Sequence, residues 1–307
     1  MLTPWGDCAV ADAHVHFFSR RFFQSLAAQA GRSAEQIAET LGWQLPPENA
    51  GDAATDGAAA ASLAALWAEE LDRHGVARAA LIASLPGDEP GVLAARAAFP
   101  DRFFAYAMVN PLAENPLPAD GLDAICLFPA MHRYSVQDAR IEPLLAQAAA
   151  ARRAVFVHAG VLTVGVRKKL GLPSLFDMRF SNPLELHAVA LRYPRIPFVV
   201  PHFGAGYFRE ALMLADLCPN VYLDTSSSNS WMRYEALDLA AVFRRALDVA
   251  GPRRLLFGTD SSFFPRGWQR AVYETQVRVL AGLGIAAADA RLILGENLQR
   301  ILAPANS

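Results

Sequence analysis

Cysteine is scarce: Cys8, Cys126 and Cys218 are the only three in a chain of 307 residues. They are too few and too far apart for a disulfide framework or a cysteine-rich zinc site. Runs of basic residues are missing as well. The 28 lysines and arginines against 30 acidic residues leave a formal charge of -2, with a pI of about 6.4. Nothing here builds the stripe that tracks nucleic-acid phosphates. The opening residues, MLTPWGDCAVADAHVH, have neither a basic start nor a long apolar stretch, so they do not read as a signal peptide. The alanine-rich tract near 58–68 is broken by Ser62 and followed by Glu69 and Glu70, which makes it too short and polar to cross a bilayer. No G-x-S-x-G elbow, Walker loop or G-x-G-x-x-G occurs, so serine-hydrolase and nucleotide-binding readings lack a motif. A cytoplasmic protein without nucleic-acid or membrane partners is expected.

Apolar material is abundant. Hydrophobic residues make up 53% and charged ones 19%, with 18 Phe, enough for a large core. Short β-rich runs at 10–16, 79–84, 103–109, 124–128, 154–158, 197–200, 221–224 and 255–258 alternate with helical patterns such as 63–74, 141–152 and 234–250. Runs such as AVFV and PFVV are nearly all apolar, as strands buried on both faces should be. Alternation of this kind implies a parallel sheet, and eight repeats imply one α/β domain over 1–307, a (β/α)8 TIM barrel. Two connections exceed plain loops: an insertion at 17–61 after the first strand and a loop at 160–182 after the fifth. In the first, Ser33 and Gln36 read as a capping box opening a short helix that Gly42 closes. The tract PPENAGDAATDGAAAA reads as a mobile surface loop. Both long segments follow strands, on the face where barrel enzymes do chemistry, and are candidates for a lid.

Four of the seven histidines end predicted strands: His14, His16, His158 and His202. Residues two apart on a strand point the same way, so His14 and His16 should both aim into the barrel mouth. Asp260 follows the strand LLFG, and a barrel gathers its strand ends into one ring. Three imidazoles and a carboxylate form a donor set for Zn²⁺, or for Mn²⁺ or Fe²⁺ with added waters. A single strand-end histidine is more often a hydrogen-bonded structural residue; the number gathered here points to a metal.

The chain resembles the amidohydrolase superfamily, in the amidohydrolase-related (family 2) branch that includes aminocarboxymuconate-semialdehyde decarboxylase. The resemblance rests on DAHVHF, VFVHAG, VVPHFGAG, VYLDTSS, LLFGTDSSF and GENLQRIL. It implies His14, His16, His158 and Asp260 as ligands of one divalent ion, with His202 and Asp260 catalytic. Many relatives carry a lysine in the fourth strand. Here that strand is AICLF, with Cys126 near the place, which argues against a carbamate bridge and for a single ion.

Metal-assisted hydrolysis of a C–O or C–N bond in a small carboxylated or aromatic molecule is the expected reaction. Asp260 would move the proton, and His202 would polarise the carbonyl. Non-oxidative decarboxylation is the alternative on the same residues. His132, Arg167, Arg179 and Arg266 are the candidate substrate contacts. The aromatic and hydroxyl-rich mouth segments suggest a largely neutral substrate, unless the Arg167–Lys169 stretch folds inward. Asp12 is expected to brace a ligand or a strand end, and Asp224 to bind backbone N–H groups of the turn after it. A homodimer stays open, with no legible interface.

Overall fold

The computed structural model describes residues 1–47, 53–114, 120–162, 165–226 and 229–302. A two-stranded antiparallel hairpin, β1 (Leu2–Thr3) and β2 (Gly6–Asp7), comes first. Its strands are too short to leave a period-two pattern, and the sequence reading missed it. Eight strands follow: β3 (Ala11–Phe17), β4 (Arg78–Ala83), β5 (Phe103–Val109), β6 (Ala124–Leu127), β7 (Ala154–Val157), β8 (Phe198–Val200), β9 (Val221–Asp224) and β10 (Leu255–Leu256). They correspond one to one to the eight expected runs. All seven neighbouring pairs are parallel, in the order β10-β9-β8-β7-β6-β5-β4-β3. Helices alternate with the strands except between β5 and β6, where none lies among the described residues, and the whole gives the (β/α)8 barrel.

The barrel closes at a seam between β3 and the chain after β10. One bridge, Val15 to Ser261, joins the edges, with backbone bonds from Ala13 N–H to the Phe257 carbonyl, His16 N–H to Ser261 and Asp260 N–H to His14. Beneath the barrel, the closing GENLQRIL segment fits for physical reasons. Asn297 Nδ2 donates to the Pro252 and Leu255 carbonyls, and a Cβ on Gly295 would stand 2.3 Å from the Ala9 carbonyl oxygen.

Side chains alternate between two cores. On β5, Phe104, Tyr106 and Met108 fill the barrel interior, while Phe103, Ala105, Ala107 and Val109 pack outward against the helices. β3 departs from this alternation. Its register shifts between Asp12 and Val15, so that Ala11 and Ala13 pack inward while Val15 and Phe17 pack outward. The irregularity re-aims His14 and His16 into the mouth.

The insertion after β3 forms α1 (Arg20–Ala30) and α2 (Ala34–Leu41), then α3 (Ala53–His74). The Ser33–Gln36 capping box and the left-handed Gly42 cap of α2 are present as expected. The expected loop at 46–61 is corrected in part: residues from Ala53 onward already belong to α3, because alanine is the strongest helix former. Residues 48–52 lie outside those described. Phe22, Phe23, Leu26, Ile37 and Leu41 of the insertion share a small apolar core with Val166 and Leu170 from the segment after β7. The two long connections thus pack together as a cap. Among the described residues, no helix is long and apolar enough to cross a membrane.

Candidate metal centre

His14 and His16 reach the mouth from β3, and Asp260 from the turn after β10, directly across the seam. One ligand atom from each of the three lies within 4.8 Å of the others. Asp260 Oδ1 stands 3.2 Å from His16 Nε2 and 3.7 Å from His14 Nε2. Hydrogen bonds on the far side of each ring leave these nitrogens free. His14 Nδ1 meets Asp224 Oδ2 at 2.7 Å and Ser226 Oγ at 3.0 Å. His16 Nδ1 lies 2.6 Å from Ser84 Oγ; that hydroxyl donates to the Ile82 carbonyl and so accepts from His16. Both rings then carry Nδ1–H, so that Nε2, on the Asp260 side, can offer a lone pair to an ion or, with none bound, take a proton and donate to Asp260.

The carboxylate of Asp260 is held charged. Burial opposes ionisation, but the His16 hydrogen bond and the nearby His14, His16 and His202 rings outweigh it and keep the group well below the usual carboxylate range. Its backbone is left-handed, at φ 61°, a costly conformation for a residue with a Cβ. The carbonyl of Asp260 accepts from Gln269 Nε2 at 2.9 Å and Arg266 Nη2 at 3.3 Å.

Under the ligands lies a buried polar floor. Asp12 Oδ1 accepts the N–H groups of His14 and Thr259, and Oδ2 accepts the Thr259 hydroxyl and Trp268 Nε1. Burial pushes its carboxyl up to about 6, against the pull of those four donors. Asp224 takes the Ser226 N–H as well as the His14 ring. Gly258 is what allows this approach: a Cβ there would lie 2.7 Å from Asp224 Oδ1 and 3.1 Å from the His14 Cβ.

His158 and His202 are also brought to the mouth, with ring centroids 5.3 Å apart; His202 lies 4.9 Å from His14. The close donor set nevertheless comprises His14, His16 and Asp260, and His158 stands beside it. Burial first, then the neighbouring His202 and His14 rings, push the His158 imidazole well below its ordinary range, so it is neutral. Its Nδ1 is buried without a hydrogen-bond partner. Three imidazoles, an ionised carboxylate and an unpartnered buried nitrogen on one of the rings are the chemistry a divalent ion would satisfy, and the donor set fits one. His202 Nδ1 lies 3.0 Å from the Ser226 carbonyl, which can only accept, so this ring too carries Nδ1–H and a free Nε2. Burial leads the causes that lower its pKa. Both His202 and Phe203 have left-handed backbones, at φ 55° and 53°.

Above these groups opens a cavity of about 560 Å³. His132, Arg167 and Arg266 line it, as expected of substrate contacts. The His132 imidazole is pushed down to about 4 by burial. Arg179 does not line it: Asp177, two residues earlier, holds its guanidinium at 2.6 Å, and the side chain is 82% exposed. The substrate-contact expectation for Arg179 is therefore corrected. Lys169 and Arg233, which the sequence reading did not single out, do line the cavity. Arg167 and Lys169 of the basic stretch thus both line the cavity, the condition on which the expectation of a largely neutral substrate depended. Asp260 is the single acidic group among the described lining residues. Cys126 is buried in the barrel interior, its thiol pushed well up by burial, as an apolar packing residue would be.

A family model described as amidohydrolase matches residues 11–303. Over 85 residues the chain is 38% identical to protein fluG of Emericella nidulans, a stretch that is 28% of this chain and 10% of that protein. The chain therefore matches only about a tenth of the length of this curated relative. The fold is similar to that of 5-carboxyvanillate decarboxylase from Sphingomonas paucimobilis, with a TM-score of 0.61, 14% identity and coverage of 96% of this chain and 99% of that one. It is similar as well to a zinc-bound amidohydrolase from Burkholderia multivorans, with a TM-score of 0.59, 16% identity and coverage of 96% and 99%. At such identities the likeness is one of fold.

Proposed function

Because the chain belongs to the amidohydrolase family, we propose that it is a metal-dependent hydrolase that cleaves a C–O or C–N bond, in a lactone, amide or similar group of a small carboxylated, flat molecule. The observation that carries this reading is the set of His14, His16 and Asp260 at the base of a cavity ringed by cations. One zinc ion, or manganese or iron, held by these residues with His158 would supply Lewis acidity and a water acidic enough to ionise near neutral pH. The zinc-bound structural neighbour supports the choice of metal.

The chain's own groups do the rest. Asp260, ionised and half-buried, accepts the proton of the attacking water and returns it to the leaving group. Because Nδ1 of His202 donates to Ser226, its free Nε2 accepts a proton and, once charged, can donate to a developing oxyanion. That order replaces the expected direct polarisation of the carbonyl, for which a neutral Nε2 has no hydrogen to offer. Lys169, Arg233 and Arg266 attract and orient the substrate carboxylate. Phe18 and Trp43, which also line the cavity, provide flat apolar faces and exclude water.

Decarboxylation of an aromatic or enoic acid is the second reading, favoured by the cations around the mouth and supported by the decarboxylase of similar fold. Purified without chelators, the protein should carry about one transition metal per chain. It should then be assayed on small lactones and amides beside aromatic and enoic carboxylic acids. Hydrolysis in the panel supports the proposal; CO2 release from an acid with no hydrolysis replaces it with the decarboxylase.

A further inference from the structure

The seam between β3 and the chain after β10 has one bridge and three backbone hydrogen bonds, where β3 and β4 pair at five residues. It is also where the three closest donor atoms meet, His14 and His16 on one side and Asp260 on the other. A second connection spans the same gap from above, through the insertion. The His16 ring stacks on Phe18 at 5.5 Å, Phe18 on Trp43 at 5.6 Å and 13°, and Trp43 on Phe263 at 4.1 Å and 12°. The Arg266 guanidinium lies 4.3 Å over the Phe263 ring and reaches back to the Asp260 carbonyl. Beside the stack, Gln44 N–H donates to the Phe264 carbonyl at 2.7 Å. The chain of contacts starts at one donor residue and ends at another.

From this arrangement we infer that Trp43 is a positioning residue: its stack on Phe263 braces the seam and holds the Asp260 turn where it completes the donor set. The inference rests on the metal-dependent reading for its consequence and on the fold alone for its cause. Asp260 needs such support because its left-handed backbone would relax if the turn were released. An aromatic pair with parallel faces and a cation above it resists sliding and tilting together. Placing the bracing tryptophan on the insertion, rather than on a barrel strand, ties the donor geometry to the docked state of the cap.

The test compares Trp43→Ala, Trp43→Phe and Phe263→Leu in the full chain, with two readouts. Zinc affinity is measured by competition with a chromophoric chelator. Amide hydrogen exchange is followed in metal-free protein at His16 and Asp260, whose N–H groups bond across the seam, with β5 as control. Trp43→Ala should weaken zinc roughly tenfold, the lower end for lost support of a ligand, and should speed exchange at the seam while β5 stays unchanged. Trp43→Phe should restore most of both, and Phe263→Leu should reproduce the loss. Zinc affinity within twofold of the parent in Trp43→Ala and Phe263→Leu overturns the inference, and so does lost affinity without faster seam exchange. If Trp43→Ala does not fold, Phe263→Leu decides by the same criteria. Failure of the unaltered protein to bind zinc sinks the metal reading, while seam exchange alone still decides whether the stack braces the barrel.

Discussion

The floor of the mouth and its rim are built on opposite terms. In the floor, Asp12, His14, Asp224 and Thr259 are buried and tied to one another by hydrogen bonds that span from the first strand to the last. At the rim, Lys169 and Arg233 are exposed, drawn from separate segments, and line the cavity with no acidic partner among the described residues. The floor is held by the fold itself, so disturbing it should cost stability and metal binding. The rim is held by little, so disturbing it should change what binds and leave the fold alone. Each of the four substitutions below tests one side of that contrast.

The largest effect is expected at Asp12. Four donors converge on this carboxylate, and Asp12→Ala would leave them buried and unpaired. Losing one unpaired donor costs about 1–3 kcal/mol, and breaking a buried charged network about 3–5 kcal/mol. Because the buried carboxylate is itself raised to about 6, a loss of roughly 3 kcal/mol is expected. Urea unfolding of the metal-free protein measures it. A change below about 1 kcal/mol, the level of an ordinary substitution, would mean the floor is not held by this network.

Much of the barrel was legible in the sequence, for a local reason. Apolar strand runs, the turn chemistry of Ser33 to Gln36, and histidines two apart on β3 are patterns within a few residues. The donors at the strand ends could be gathered because a barrel puts every strand end on one ring. What stayed hidden depends on pairs far apart. Asp224 was read as a brace for its own turn, and it does bind Ser226. Its second partner, His14, lies 210 positions away, and nothing near Asp224 announces it. Trp43 met Phe263 in the same way, across the cap. Arg179 failed as a substrate contact because a neighbouring Asp177 captures it, a local competition that spacing could have suggested. The register shift on β3 stayed hidden too, because the alternating run ADAHVHF reads as an unbroken strand.

Next in size is Asp224→Asn. Asparagine can still accept the Ser226 N–H on its oxygen, so the turn should persist. Its amide would then face His14 Nδ1, favouring the tautomer with hydrogen on Nε2 and removing the lone pair turned toward Asp260. Loss of such an outer partner costs 10–100-fold in metal affinity, about 1.4–2.7 kcal/mol. Chelator competition gives the number. Affinity within threefold of the parent would show that Asp224 serves its own turn and no more.

The smallest effect on the fold, and the cleanest on function, is expected at Lys169→Ala and Arg233→Ala. Both side chains are exposed. Arg233 bonds only to the Tyr234 hydroxyl among the described contacts, and stands 5.0 Å over that ring. Removing either should shift stability by no more than about 0.5 kcal/mol, as at surface positions away from buried features. The substrate should feel the change. An exposed cation paired with a carboxylate contributes about 0.2–1 kcal/mol, so KM for a carboxylated substrate should rise roughly 1.4- to 5-fold, with kcat nearly constant. Salt sharpens the test, because charges separated by more than the Debye length of about 10 Å at 0.1 M are screened. The gap between variant and parent should widen at low ionic strength and close at high. A neutral ester of the same acid should show no gap at either. If KM for the acid is indifferent to both substitutions at low salt, the rim does not recognise charge, and the substrate is chosen by the apolar faces of Phe18 and Trp43 instead.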